Sequence, residues 1–172
     1  MSSGQTLLII DDDQDLATAA ALRLQSAGYT IRIAMEAREG LHMAVTTQPD
    51  AVLLDMHMPC IDGLTTLAWL RDHGATRDIP VVVFSVDSVM SRRALQLGAN
   101  GYVKTPYNSE RLIEIVSDAI RNSSEREQTI NRDGMAGSML PKRVQHRARK
   151  DLCPPPKKFS SDRTKTVEST TK

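Results

Sequence analysis

The chain has 172 residues, of which 40% are hydrophobic, 25% charged and only 3% aromatic. That is a globular composition with room for one ordinary domain and an extension, and its core must be aliphatic. No stretch approaches the roughly 18 apolar residues of a membrane span, and the N-terminus lacks the basic flank and apolar run of a signal peptide, so a cytoplasmic location without membrane or export is expected.

The net charge of +1 conceals two halves. Residues 1–120 carry 9 Lys/Arg and 15 Asp/Glu, a balance of −6; residues 121–172 carry the other 13 and 6, a balance of +7. Cys60 and Cys153 lie far apart without metal-ligand spacing and read as reduced thiols.

Thr6 to Ile10 is a short apolar run ending in Asp11-Asp12-Asp13, the pattern of a strand buried on both faces. Leu16, Ala20, Leu24 and Ala27 follow at helical spacing, with Gly28 where a helix is expected to stop. Tyr29 to Ala34 predicts a second strand and Glu36 to Thr47 a second helix. Ala51 to Leu54 is a third apolar strand closed by Asp55. A helix over Leu64, Leu67, Ala68 and Leu70 follows the Asp62-Gly63 turn. Val81 to Phe84 predicts a fourth strand, Ser88 to Leu97 a weaker helix, and Gly101 to Lys104 a short fifth strand. The last helix has Asn108 as its N-cap and Leu112, Val116 and Ile120 on one face. Five alternating units predict a parallel sheet with helices on both faces and right-handed crossovers.

From about Asn122 the pattern stops. The remaining 51 residues are rich in Ser, Arg and Lys and include Pro154-Pro155-Pro156. Such a segment has too little apolar surface to offset its ordering entropy, so the domain is expected to span 1–121 and the tail 122–172 to be disordered. The basic tail permits loose attraction to nucleic acid. It has no aromatic-interleaved pattern or binding motif, so nucleic acid is not the expected partner.

In a parallel α/β sheet the carboxyl ends of the strands share one crevice. Asp11 and Asp12 close the first strand here, Asp55 the third and Ser85 the fourth, and Lys104 lies near the end of the fifth. Gathered carboxylates repel unless a cation joins them, and hard oxygen ligands suit Mg²⁺. An Asp in such a site can act as nucleophile and form an aspartyl phosphate.

Leu7-Leu8-Ile9-Ile10-Asp11-Asp12-Asp13, Asp55-Met56-His57-Met58-Pro59 with Asp62-Gly63, Ser85, and Gly98-Ala99-Asn100-Gly101-Tyr102 closely resemble the receiver domain of bacterial response regulators. The likeness runs from about Thr6 to Arg121. It implies a flavodoxin-like (βα)5 fold with strand order 2-1-3-4-5. It also implies a phosphoacceptor switch rather than an enzyme, with at most self-phosphorylation and self-dephosphorylation. Asp55 matches the phosphorylated residue, Asp11 and Asp12 the acidic pair that holds Mg²⁺, and the backbone carbonyl of His57 a further metal ligand. Ser85 matches the hydroxyl that meets the phosphoryl oxygen, and Tyr102 the aromatic that changes rotamer with it. Implied partners are a histidine kinase or phosphotransfer protein, and a partner or second copy on the face of the fourth helix, fifth strand and fifth helix.

Two departures from the family support an alternative, a non-phosphorylated interaction module of the same fold. The family's Lys-Pro is here Thr105-Pro106, with Lys104 one place early, and the residue after the hydroxyl is Val86 rather than Ala or Gly. Strand alternation turns Lys104 away from the crevice and gives Thr105 the crevice side. The resemblance makes the Thr105–Pro106 bond cis. Asp11, Asp13 and Asp15 imitate the start of a calcium loop, but Leu16 and Leu22 stand where Gly and Glu are required. A magnesium phosphatase with an Asp-x-Asp-x-Thr motif is excluded by Asp15 in the last place.

Overall fold

The computed structural model describes residues 4–132, with side chains described through residue 125. Five strands alternate with five helices: β1 (Thr6–Ile10), α1 (Gln14–Ser26), β2 (Thr30–Ala34), α2 (Ala37–Thr47), β3 (Ala51–Asp55), α3 (Gly63–Asp72), β4 (Val81–Ser85), α4 (Ser88–Gln96), β5 (Gly101–Lys104) and α5 (Ser109–Arg132). All strand pairings are parallel and the order across the sheet is β2-β1-β3-β4-β5, the flavodoxin-like arrangement.

Strand alternation divides the core into two layers. Leu7, Ile9, Leu53, Val82, Phe84 and Val103 face α1 and α5, where Ala17, Leu24, Leu112 and Val116 meet them. Leu8, Ile10, Val52, Leu54, Val81 and Val83 face the other way, toward Ala44, Leu67, Leu70 and Ala94 of α2, α3 and α4. Both sides of the sheet are covered, which is why β1, β3 and β4 read as continuous apolar runs. Among the described residues no helix is long and apolar enough to cross a membrane.

The loops after the strands carry the caps. Asp13 accepts from the backbone N–H groups of Asp15 and Leu16 at 3.0 and 3.1 Å. Asp62 accepts from Thr65 at 2.7 Å, Asp87 from Val89 at 2.7 Å, and Asn108 from Arg111 at 2.7 Å. Four helices therefore start at a side chain that satisfies an orphan donor, and all four starts lie on the edge where the strands end. Gly28, just past the end of α1, has φ +96°.

Three expectations need correction. Tyr29 lies before β2 rather than in it; it is buried, and its N–H donates to Leu24 O at 3.2 Å. Leu16 is not part of the core face of α1: it is 54% exposed, because the first turn of the helix overhangs the carboxyl edge of the sheet. The last helix does not stop at Arg121 but runs to Arg132. Its continuation holds no Gly or Pro, and the polar residues taken as a break are tolerated in a helix. Ser124 Oγ donates back to Ile120 O at 3.1 Å. The expectation of a disordered tail beyond residue 132 lies outside the described residues.

At the other edge of the sheet a single guanidinium ties two loops together. Arg71, at the end of α3, donates from Nε to Gly98 O at 3.0 Å, from Nη1 to Ile79 O at 2.9 Å, and from Nη2 to Asn100 Oδ1 at 3.0 Å. Asn100 Oδ1 also accepts from the N–H of Val81 at 3.0 Å, so the start of β4 depends on the same cluster. Burial brings the Arg71 guanidinium down to about 10, partly offset by the Asp78 charge. A lysine offers a point charge in place of this planar fork. Arg71→Lys should cost about 2 kcal/mol, the loss of one or two hydrogen bonds from a charged donor. The urea midpoint measures it; an unchanged midpoint would mean the fork adds nothing.

Candidate functional site

The registers Ile10↔Leu54, Asp55↔Phe84 and Ser85↔Lys104 bring β1, β3, β4 and β5 to a common edge. One residue past that register on β1 stands Asp11, 6% exposed, with its N–H donating to Ala34 O at 3.1 Å. Its Oδ1 accepts from Asp13 N at 2.9 Å. Asp55 closes β3, half-buried, and its Oδ2 accepts from His57 N at 2.8 Å. Asp12 is exposed beside them. One carboxylate oxygen from each of Asp11, Asp12 and Asp55 lies within 4.8 Å of the others.

This geometry disfavours three negative charges. Burial pushes the Asp11 carboxyl up from 3.8 to about 6; the Asp13 N–H opposes it, and the charges of Asp55, Asp12 and Asp13 add to it. Burial also raises Asp55, against hydrogen bonds from the N–H groups of His57 and Met56. A cluster of oxygen donors in which Asp11 and Asp55 both resist ionisation is a set a hard divalent cation would relieve.

Gly63 fixes the approach of α3 to the site. A Cβ there would meet the backbone carbonyl oxygen of Asp55, and Met56 Cα at 2.7 Å. The Asp62-Gly63 pair thus needs its two residue types for separate reasons: the first caps α3 and the second lets α3 start against the end of β3.

The other expected residues lie as follows. His57 is exposed and lines the crevice with Asp11, Asp12 and Asp55. Ser85 is 2% exposed, and its hydroxyl donates to Asp87 O at 3.0 Å while accepting from Asp87 N at 3.1 Å. It is held toward α4 in this structure. Thr105 lines the crevice, and the Thr105–Pro106 bond is cis. Lys104 is exposed and, like the 44% exposed Tyr102, lies outside the crevice lining.

The crevice extends beyond the carboxylates into a cleft of about 680 Å³ whose walls include Leu16, Ala20, Phe84, Val86 and Tyr107. Tyr107 stacks on Phe84, with centroids 5.5 Å apart and planes at 29°. Burial raises its hydroxyl, with the Arg23 cation opposing and Asp11 adding. Arg23 lines the same cleft and donates from Nη1 to Ser109 Oγ. Sequence reasoning passed over Arg23, Tyr107 and Ser109. The signal for Arg23 was its spacing from Leu16 and Ala20, which gives the three residues one side of α1.

A family model described as the response regulator receiver domain matches residues 7–117. The chain belongs to that family. The response regulator MprA of Mycolicibacterium vanbaalenii is 34% identical over 120 residues, which are 69% of this chain and 51% of that protein. The DNA-binding dual master transcriptional regulator RpaA of Synechocystis is 31% identical over 119 residues, 68% of this chain and 49% of that protein. The chain thus spans about half the length of the curated relatives it matches. A crystallised response regulator from Chloroflexus aurantiacus shares 32% identity with a TM-score of 0.66, covering 68% of this chain and 98% of that one. Receiver domains of this family are in general not enzymes, and their common role is signal transduction by phosphorelay.

Because the folded state favours the protonated form of Asp11, it gains stability from that proton below pH 3.8 and loses it as pH rises through about 6. Metal-free protein should lose on the order of 1–3 kcal/mol to this group across that window. Asp11→Asn should remove this part of the pH dependence, and Mg²⁺ should restore stability at neutral pH. Urea midpoints against pH for both proteins test it; parallel curves would count against the assignment.

Proposed function

We propose that this chain is a phosphoacceptor switch in which Asp55 takes a phosphoryl group from a histidine kinase or phosphotransfer protein. The observation that carries the reading is the meeting of Asp11, Asp12 and Asp55 oxygens within 4.8 Å, in a crevice that Ser85 and Thr105 also line. Asp11, Asp12 and Asp55, with the backbone carbonyl of His57, would hold Mg²⁺, which when bound shields the carboxylate repulsion and offsets charge on the transferring oxygens.

The chain's own part is positioning. An Asp55 carboxylate oxygen attacks phosphorus in line with the donor's imidazole nitrogen; the P–N bond breaks, and its electron pair stays on that nitrogen. The His57 N–H holds the second Asp55 oxygen, which orients the first. Ser85 supplies a hydroxyl donor to a phosphoryl oxygen once it turns from Asp87, and Tyr102 is the aromatic proposed to respond. Thr105 offers a second, neutral hydroxyl where the family has a cation.

Val89, Leu95, Leu97 and Tyr102 are 53, 40, 37 and 44% exposed on α4, the residue after it, and β5. We take this apolar face, with α5, as the surface whose affinity for a protein partner or second copy changes on phosphorylation. Relatives named as DNA-binding or transcriptional regulators leave the expectation that nucleic acid is not a partner without support. For the receiver itself the proposed partners are proteins, in the cytoplasm.

Incubation with acetyl phosphate and Mg²⁺ should add one phosphoryl group by mass, and Asp55→Asn should abolish it. A gain that persists in Asp55→Asn would overturn the assignment, and none from any donor would leave an interaction module. Thr105→Lys, which puts a cation on the crevice side, should raise the phosphorylation rate about tenfold, about 1.4 kcal/mol. Lys104→Ala should change it little; a large loss would mean that Lys104 reaches the site.

A further inference from the structure

Where β4 passes into α4, the carbonyl oxygen of Asp87 accepts from three donors: Ser85 Oγ at 3.0 Å, Ser91 N at 3.1 Å and Ser91 Oγ at 3.0 Å. A carbonyl oxygen has two lone pairs, so the two hydroxyls and the N–H share them. Both serines are 2% exposed, so their hydroxyls find these partners inside the protein.

The start of α3 supplies the comparison. There the N-cap Asp62 also has its carbonyl taken by the residue four places on, from Thr66 N at 3.0 Å and Thr66 Oγ1 at 2.9 Å. Among the described residues no third donor joins them. A back-bonded Ser or Thr in the first turn is ordinary helix chemistry. At α4 it is combined with a hydroxyl from outside the helix, and that hydroxyl belongs to the site.

The consequence rests on the reading that Ser85 turns to a phosphoryl group on Asp55. The Ser85 hydroxyl has one proton and cannot donate it to both Asp87 and the phosphoryl oxygen. When it leaves, the Asp87 carbonyl keeps the Ser91 N–H and O–H, two donors for two lone pairs. The Asp87 N–H, on an exposed residue, is left for water. The cap itself persists, because Asp87 Oδ1 still accepts from Val89 N.

We propose that Ser91 is a positioning residue for the phosphoacceptor site. Its hydroxyl is the stand-in that keeps the Asp87 carbonyl satisfied, so that Ser85 is released at little cost. Without it, the same movement leaves the carbonyl with one protein donor, and Ser85 is held back toward α4. The coupling runs from Ser85 into α4 through Asp87, and does not require Tyr102.

The test is a titration of the full chain with beryllofluoride and Mg²⁺, followed by backbone amide NMR. The His57 amide reports occupancy of the site and the Asp87 amide reports departure of Ser85. In the wild type both should move together. Ser91→Ala should bind beryllofluoride about fivefold more weakly, equivalent to about 1 kcal/mol, with its thermal melting nearly unchanged. Ser91→Cys, similar in size but a weaker donor, should fall between. Ser91→Thr, which keeps the hydroxyl, should restore the affinity, a rescue that a merely structural role would not give. Ser91→Ala and Ser91→Cys binding as tightly as the wild type, or more tightly, would overturn the proposal. Failure of the wild-type His57 amide to respond would instead remove the phosphoacceptor reading, and this inference with it.

Discussion

The β1–β3 pairing decides most of what this domain can do. It sets Ile10 beside Leu54, and one step further the chain has no choice but to bring Asp11 to the end of Asp55's strand. The apolar runs that make the pairing favourable also withdraw water from the carboxylates that follow, and lost hydration is the largest cause of the rise at both Asp11 and Asp55. A site that resists its own charge is built by the same residues that stabilise the sheet. The same carboxylates that cost stability when ionised would add to it if a cation were held between them.

Around that pairing the loops divide the work. The N-caps Asp13, Asp62 and Asp87 fix α1, α3 and α4 at the edge where the strands end, while Arg71 and Asn100 fasten loops at the other edge. The crevice edge is held by short side-chain-to-backbone contacts, each of which can be exchanged singly. At the opposite edge one guanidinium is engaged three times, and Asp50 and Thr76 add bonds to Thr6 N and Leu70 O.

How far the sequence was legible follows from the range of each signal. Strand and helix positions were readable because both faces of the sheet are covered, so β1, β3 and β4 stand out as unbroken apolar runs. The Asp55-x-x-x-Pro-x-x-Asp-Gly block was readable because Asp62 and Gly63 each meet a local requirement. Lys104 lies outside the crevice lining, as strand alternation required, with Thr105 inside. Leu16 was misread because helical spacing cannot tell a turn that overhangs the sheet from one that covers it. The end of α5 was misread because Asn122, Ser123 and Ser124 have the composition of a break without the Gly or Pro that would enforce one. Arg71 and the Ser85–Asp87–Ser91 contact had no sequence signal. They depend on carbonyl directions that exist only after the loops have formed.

The separation of the paired strands along the chain has a kinetic side. Leu7 and Ala51 are partners in the sheet, so β2 and both flanking helices lie in the loop that must close before β1 meets β3. Non-local parallel pairing of this kind is slow to form, because chain entropy is lost before contacts repay it. The step also gathers the acidic groups, so their repulsion falls on the long-range event rather than on local helix formation. The barrier to folding and the electrostatics of the crevice therefore share one set of charges.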